Sequence, residues 1–172
     1  MIRTDRLILD EWELGDWQAF RPIATDPEVM RYINGGIPWT DQQIQSFVAV
    51  QIQTCRDRGF CRWKMIDRAS RELIGFCGPG MWRDAEDPEI GWWLVRRLWG
   101  RGLATEAARA ALADALNRVG LKRVISIARP ENEASIAIMK KLGLKFDTEF
   151  ESDGVKLVRY RILVRGPNSH VG

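Results

Sequence analysis

Apolar and polar positions along this chain fall into two periods. Short runs rich in Leu, Ile, Val and Trp at residues 7–12, 60–66, 72–77 and 89–95 predict strands, as do 124–128, 145–151 and 156–164. The helical period is clearest in mid-chain. Ala104, Ala107, Ala108, Ala111, Leu112, Ala115, Leu116 and Val119 recur on one stripe, with Glu106, Arg109, Asn117 and Arg118 on the other face. Small alanines let such a helix lie close to a sheet, and Gly120 is placed as its C-cap. Further helices are predicted over 16–24, 26–33 and 132–142, and from a cap at Thr40 or Asp41 to about Asp57. Asn34-Gly35-Gly36-Ile37-Pro38 and Asp67-Arg68-Ala69-Ser70 read as turns, and 81–88 as a loop. A helix intervenes between the strands at 89–95 and 124–128, so they are expected to run parallel. No linker or repeat divides the chain. One domain is expected over 1–166, with a loose tail at 167–172.

Composition narrows the functional classes. A chain of 172 residues fits one domain with a substantial core. Twenty-six basic and 23 acidic residues leave a net charge of +3, too balanced to argue for nucleic acid. No apolar run approaches the roughly 20 residues that span a bilayer, and the N-terminus lacks an apolar signal core. Cytoplasmic residence is therefore the expectation. The three cysteines, Cys55, Cys61 and Cys77, form no Cys-x-x-Cys and read as plain thiols, with no metal site expected. The one histidine, His170, lies two residues from the C-terminus, which argues against Cys-His or Ser-His-Asp catalysis.

The candidate chemistry gathers at Arg97-Leu98-Trp99-Gly100-Arg101-Gly102-Leu103-Ala104-Thr105-Glu106, between a predicted strand and the alanine-rich helix. Glycines there let backbone amides approach a ligand, and the helix start offers unpaired N–H groups and partial positive charge. Such a turn suits phosphate or pyrophosphate. Arg96, Arg97 and Arg101 add charge, although adjacent Arg96 and Arg97 need not point the same way. The turn is not a P-loop, because Leu103 and Ala104 stand where Lys-Ser or Lys-Thr would follow the last glycine. Nor is it a dinucleotide fingerprint, because Thr105 stands where a third glycine or alanine belongs. What remains is Arg-x-x-Gly-x-Gly-x-Ala, or else a glycine-rich turn that merely joins strand to helix.

This segment resembles the acyl-CoA pyrophosphate loop of the GNAT superfamily of N-acetyltransferases, and Trp99 to Glu106 looks most like its RimJ/RimL branch. The flanks agree. Pro130-Glu131-Asn132-Glu133-Ala134-Ser135 matches an Asn-x-x-Ser helix start, Lys141-Leu142-Gly143 a Lys-x-Gly helix end, and Thr4-Asp5-Arg6-Leu7-Ile8-Leu9 the opening strand. The resemblance implies a mixed α/β (α+β) fold with a mostly antiparallel central sheet flanked by helices. Its one parallel strand pair would splay at the cofactor site. It further implies acetyl-CoA as co-substrate and a primary amine as acceptor, either a protein N-terminal α-amine or a small-molecule amine. The alternative is a catalytically silent CoA-binding regulator. A homodimer is compatible with the chain, though no segment demands one.

Carried onto this sequence, the resemblance assigns the pantetheine arm to Trp93, Leu94 and Val95, and the pyrophosphate to amides of the Trp99–Ala104 turn, with Arg97, Leu98 and Thr105 as further cofactor contacts. Asn132 is either a helix cap or a cofactor contact. Lys141 either reaches the adenosine phosphate or complements its helix dipole. Amide formation from a thioester needs a neutral amine, donors for the developing oxyanion and a proton for the departing thiolate. Glu89, opening the thioester-bearing strand, is the candidate base, unless it is a solvent-facing carboxylate. The last helix lacks a tyrosine, since Tyr32 and Tyr160 lie elsewhere, and Ser135 matches the serine that some RimJ/RimL-like enzymes use there. No nucleophile–base pair is visible, so direct attack in a ternary complex is expected. Trp92 and Trp93 must face opposite sides of their strand, and Trp39, Trp63 and Trp82 are further candidates for the acceptor cleft. The acidic loop 83–89 either attracts a cationic amine or is a solvated turn.

Overall fold

The computed structural model describes residues 1–83 and 85–163. The tail expected at 167–172 lies outside them, as does Val164. Two short strands, β1 (Ile2–Arg3) and β2 (Leu7–Asp10), open the chain. Helices α1 (Asp16–Ala24), α2 (Pro27–Met30) and α3 (Asp41–Arg58) follow, then β3 (Trp63–Asp67), β4 (Leu73–Gly80) and β5 (Glu89–Leu94). Next come α4 (Leu103–Asn117), β6 (Arg123–Ala128), α5 (Glu133–Lys141), β7 (Lys145–Ser152) and β8 (Val155–Leu163). The strands form one sheet in the order β1-β2-β3-β4-β5-β6-β8-β7. Every neighbouring pair is antiparallel except β5 and β6.

Strand alternation divides the core into two layers. Leu7, Leu9, Met65, Ile74 and Ile90 pack with Ala107, Ala108 and Ala111 of α4. On the other side Phe20 of α1, with Ile44 and Val48 of α3, covers Phe76. Trp92 packs against the first layer and Trp93 against the second, as their adjacency in a strand requires. The α4 stripe is buried at Ala107, Ala108, Ala111, Leu112 and Ala115, and Gly120 turns left-handed (φ 81°) beyond its end. Thr40 caps α3 in a reciprocal box with Gln43.

Several boundaries differ from those the sequence predicts. The first strand stops at Asp10 because Trp12 turns its indole N–H to the Arg62 carbonyl and packs edge-on to Phe20. Thr4-Asp5-Arg6 is a connection between β1 and β2, not part of an opening strand. Helix α2 is only four residues, capped by Asp26 and followed closely by the left-handed residues Asn34, Gly35 and Gly36. Conversely, β4 runs on through Gly78, Pro79 and Gly80.

The parallel pair positions the site. Strands β5 and β6 share the register pair Glu89–Ile125, supported by the Ile125 N–H donating to the Pro88 carbonyl at 2.9 Å. One residue further, buried Ser126 donates its hydroxyl to the Ile90 carbonyl at 2.8 Å. Beyond these ties no further register pair joins the two strands, and the wedge between them is lined by Gly91, Trp92 and Trp93 of β5 and Ile127 and Ala128 of β6. No helix among the described residues is long and apolar enough to cross a membrane.

Candidate active site

The glycine turn is built by conformation. Gly100 and Gly102 adopt φ of 73° and 75°, a region that costs other L-residues energy. Gly102 caps α4 without a side chain, and the first bond into the helix is from the Glu106 N–H to the Gly102 carbonyl at 3.0 Å. The N–H groups of Leu103, Ala104 and Thr105 precede that bond and stand at the positive end of the helix. Glu106 would oppose an anion there, but it is tied off. Its carboxylate accepts from Thr4 Oγ1 at 2.6 Å, from the Arg6 N–H at 2.9 Å and from Arg6 Nε at 2.7 Å. Burial disfavours its charge, yet these hydrogen bonds outweigh burial and hold the carboxyl below its ordinary range. Arg6 Nη1 also donates to the Arg101 carbonyl at 2.9 Å. The opening segment thus props the glycine turn.

A cavity of about 570 Å³ lies over this helix start, a size suited to a cofactor or drug-sized ligand. Among the residues proposed from the sequence, Trp93, Leu94, Leu98, Trp99, Gly100, Gly102, Leu103, Ala104, Thr105, Asn132, Ser135 and Lys141 line it. Val95, Arg97 and Arg101 do not. The Val95 N–H donates to the Ile74 carbonyl, closing that backbone into β4. The Arg97 guanidinium pairs with Glu72 at 2.7 Å on the surface. Arg101 is exposed, and its carbonyl accepts from Arg6. Trp99 donates its indole N–H to the Leu94 carbonyl at 2.7 Å, fixing the turn to the end of β5. Sequence reasoning missed the opposite wall, where Glu28, Val29, Arg31 and Tyr32 of α2 and its exit contribute. That segment carries no motif.

A second cavity of about 720 Å³ lies on the α3 side of the sheet. Trp39, Trp82 and Trp93 line it. Trp63 does not: it is buried in the core, its indole N–H without a partner among the described residues. Of the acidic loop's described residues, Asp87 pairs with Arg123, Glu89 is buried, and Arg83 pairs with Asp153.

A small cavity of about 110 Å³ shares walls with both larger ones, and Glu89, Asn132 and Ser135 line it together. Glu89 is only 6% exposed, so it is not a solvent-facing carboxylate. Burial raises its pKa, while the Arg62 guanidinium and the Ile127 N–H oppose the rise. Arg62 Nη2 donates directly to Glu89 Oε2. The pair was invisible in the sequence, 27 residues apart and outside any motif. Asn132 is the N-cap of α5, its Oδ1 accepting from the Ser135 N–H at 3.2 Å, and it lines the cofactor-sized cavity as well. Tyr32 lines all three cavities. The arrangement brings a buried carboxyl and a hydroxyl to the junction of two substrate-sized spaces.

Comparison with known proteins agrees with this geometry. Residues 6–145 match the acetyltransferase (GNAT) domain family. The chain is 31% identical over 150 residues to the uncharacterized N-acetyltransferase YnaD of Bacillus subtilis (strain 168), covering 87% of this chain and 85% of that one. A GNAT-family acetyltransferase from Bacillus anthracis superposes with a TM-score of 0.78 at 27% identity, covering 94% of this chain and 97% of its own. RimL, the ribosomal L7/L12 α-N-protein acetyltransferase solved with coenzyme A, superposes with a TM-score of 0.78 over 94% of this chain and 96% of its own. At 15% identity that likeness is one of fold. The family match over most of the chain, met by a mixed sheet with one parallel pair, places this protein in the GNAT acetyltransferase family.

Proposed function

We propose that the protein transfers acetyl from acetyl-CoA to a primary amine by direct attack, both substrates being bound together. The observation that carries this reading is the junction cavity, where Glu89 and Ser135 line one space between two larger ones. The α4-side cavity fits the CoA portion. Free N–H groups of Leu103, Ala104 and Thr105 face the pyrophosphate, Lys141 takes a terminal phosphate, and Asn132 contacts the arm. RimL, with the same fold, was solved holding coenzyme A.

The amine enters from the larger cavity and must lose a proton to attack. Glu89 is the base. Its raised pKa makes the carboxylate a better proton acceptor than an exposed glutamate. Arg62 holds the carboxylate in place and stabilises its charged form. As nitrogen bonds to the acetyl carbon, the carbon–sulfur bond breaks and the sulfur takes up a proton. Ser135 donates its hydroxyl toward that sulfur. A serine hydroxyl is less acidic than a thiol, so it acts by hydrogen bonding and by relaying a proton through water. The products are an amide and free CoA thiol.

Release of CoA thiol from acetyl-CoA, measured against a library of small amines and peptide N-termini, tests the reading. Amine-dependent release with a matching N-acetyl product is expected. Tight acetyl-CoA binding with no release for any amine contradicts it.

A further inference from the structure

We propose that the acceptor amine carries an anionic group, a carboxylate or a phosphate, and that Arg129 receives it. This deepens the acetyl-transfer reading and rests on it. Five charged residues line the larger cavity: Arg62, Arg83, Glu89, Arg129 and Asp153. Arg62 pairs with Glu89 and Arg83 with Asp153. Arg129 is left over. Its side chain makes no hydrogen bond or ion pair within the described residues. Among the described residues, the cavity therefore holds one uncompensated positive charge.

The place of that charge selects its partner. Arg129 follows β6 directly and lines both the larger cavity and the junction, but not the cavity over α4. It therefore lies on the acceptor side of the wedge, away from the cofactor phosphates. Its backbone is fixed, because the Asn132 N–H donates to the Arg129 carbonyl at 3.0 Å. Arg129 is half-buried, in a cavity whose lining also includes Trp39, Trp82 and Trp93, so its field is less screened than at an open surface. A half-buried guanidinium without a partner favours an incoming anion, which it can grip through two parallel N–H bonds. The same charge repels polyamines. Since Glu89 and Arg129 line one small cavity, the reactive nitrogen and the anion must lie a few bonds apart in the acceptor. An α-amino carboxylate and a short aminoalkyl phosphate both meet that condition.

The test compares matched acceptors by CoA-thiol release: phenylalanine against phenylalaninamide, and phosphoethanolamine against ethanolamine, with spermidine as the polycation. The anionic member of a pair is expected to have a kcat/KM at least about tenfold higher than its neutral partner. A preference confined to phenylalanine assigns a carboxylate, and one confined to phosphoethanolamine assigns a phosphate. In Arg129→Gln that ratio should fall by about tenfold or more, mainly through KM, while Arg129→Lys restores part of it. Preference for the neutral amines or spermidine overturns the inference and leaves acetyl transfer standing, as does a ratio unchanged in Arg129→Gln. Absence of release with every amine, anionic or neutral, overturns the acetyl-transfer reading and this inference with it.

Discussion

Arg6 Nε lies 2.7 Å from Glu106 Oε2, across 100 residues of chain, and the same guanidinium donates to the Arg101 carbonyl. One side chain thus neutralises an acid in the first turn of α4 and braces the turn that precedes it. The opening strand and the glycine turn are read from the sequence as separate motifs. In the structure Arg6 ties them together, bonding both the first turn of α4 and the glycine turn before it.

Removing the neutralising charge should therefore hurt cofactor binding. Arg6→Ala is expected to weaken acetyl-CoA binding by about 1 kcal/mol, the scale of a charge acting at a helix terminus. Adding Glu106→Gln to that variant should recover most of the loss, because the opposing charge is then gone. Calorimetric titration of the single and double variants checks this, and equal affinity in Arg6→Ala and wild type contradicts it.

The Glu106 carboxyl also links pH to stability. Its pKa is lowered on folding, so its contribution is present above the unfolded value, near 4.3, and disappears as pH falls through the folded value. Wild type should melt above Glu106→Gln at neutral pH. Thermal melts taken down to about pH 3 should show the gap closing. A gap that widens on acidification contradicts the assignment.

Gly102→Val forces a β-branched residue into a left-handed conformation at φ 75°. The strain costs about 1–2 kcal/mol, a fall of a few degrees in Tm for a domain of this size. Relief of that strain moves the turn and withdraws the amides beneath the cavity. Acetyl-CoA affinity should drop by about tenfold or more while the variant still melts cooperatively. Unchanged affinity in the folded variant removes the turn from the cofactor site.

Asn132 and Ser135 share one helix start but are expected to separate kinetically. Asn132→Ala loses the cap bond to the Ser135 N–H, costing about 1 kcal/mol of stability, and raises the acetyl-CoA dissociation constant. Ser135→Ala keeps that backbone bond and should slow the chemical step more than it weakens binding. Single-turnover kinetics with melts of both variants distinguish the two. A full single-turnover rate in Ser135→Ala assigns leaving-group protonation to water alone.

Local patterns carried much of the fold. The alanine stripe of α4, the Thr40 cap of α3 and the parallel relation of β5 to β6 are nearest-neighbour or periodic features, and all are legible in sequence. The continuation of β4 through Gly78, Pro79 and Gly80 is not, because those residues ordinarily break strands. Here the packing demands a glycine: a Cβ on Gly78 would sit 2.3 Å from the Cys61 carbonyl oxygen. The site divides in the same way. The glycine turn and Asn132 announce themselves by spacing. The partners that set the charge state of the site, Arg62 for Glu89 and Arg6 for Glu106, are brought close only by the fold. Arg97 shows the converse, a motif arginine whose charge is taken by Glu72 at the surface.

The central claim is that Glu89 takes the proton from the amine, and the pH dependence of the rate tests it most directly. The base must be ionised to act, so the rate should rise with pH along an acidic limb. Burial places that limb above the ordinary glutamate range, near 4.3. In Glu89→Gln the limb should flatten and the rate fall by about 100- to 10,000-fold, with acetyl-CoA affinity little changed. A Glu89→Gln rate within about twofold of wild type across the pH range would contradict the account.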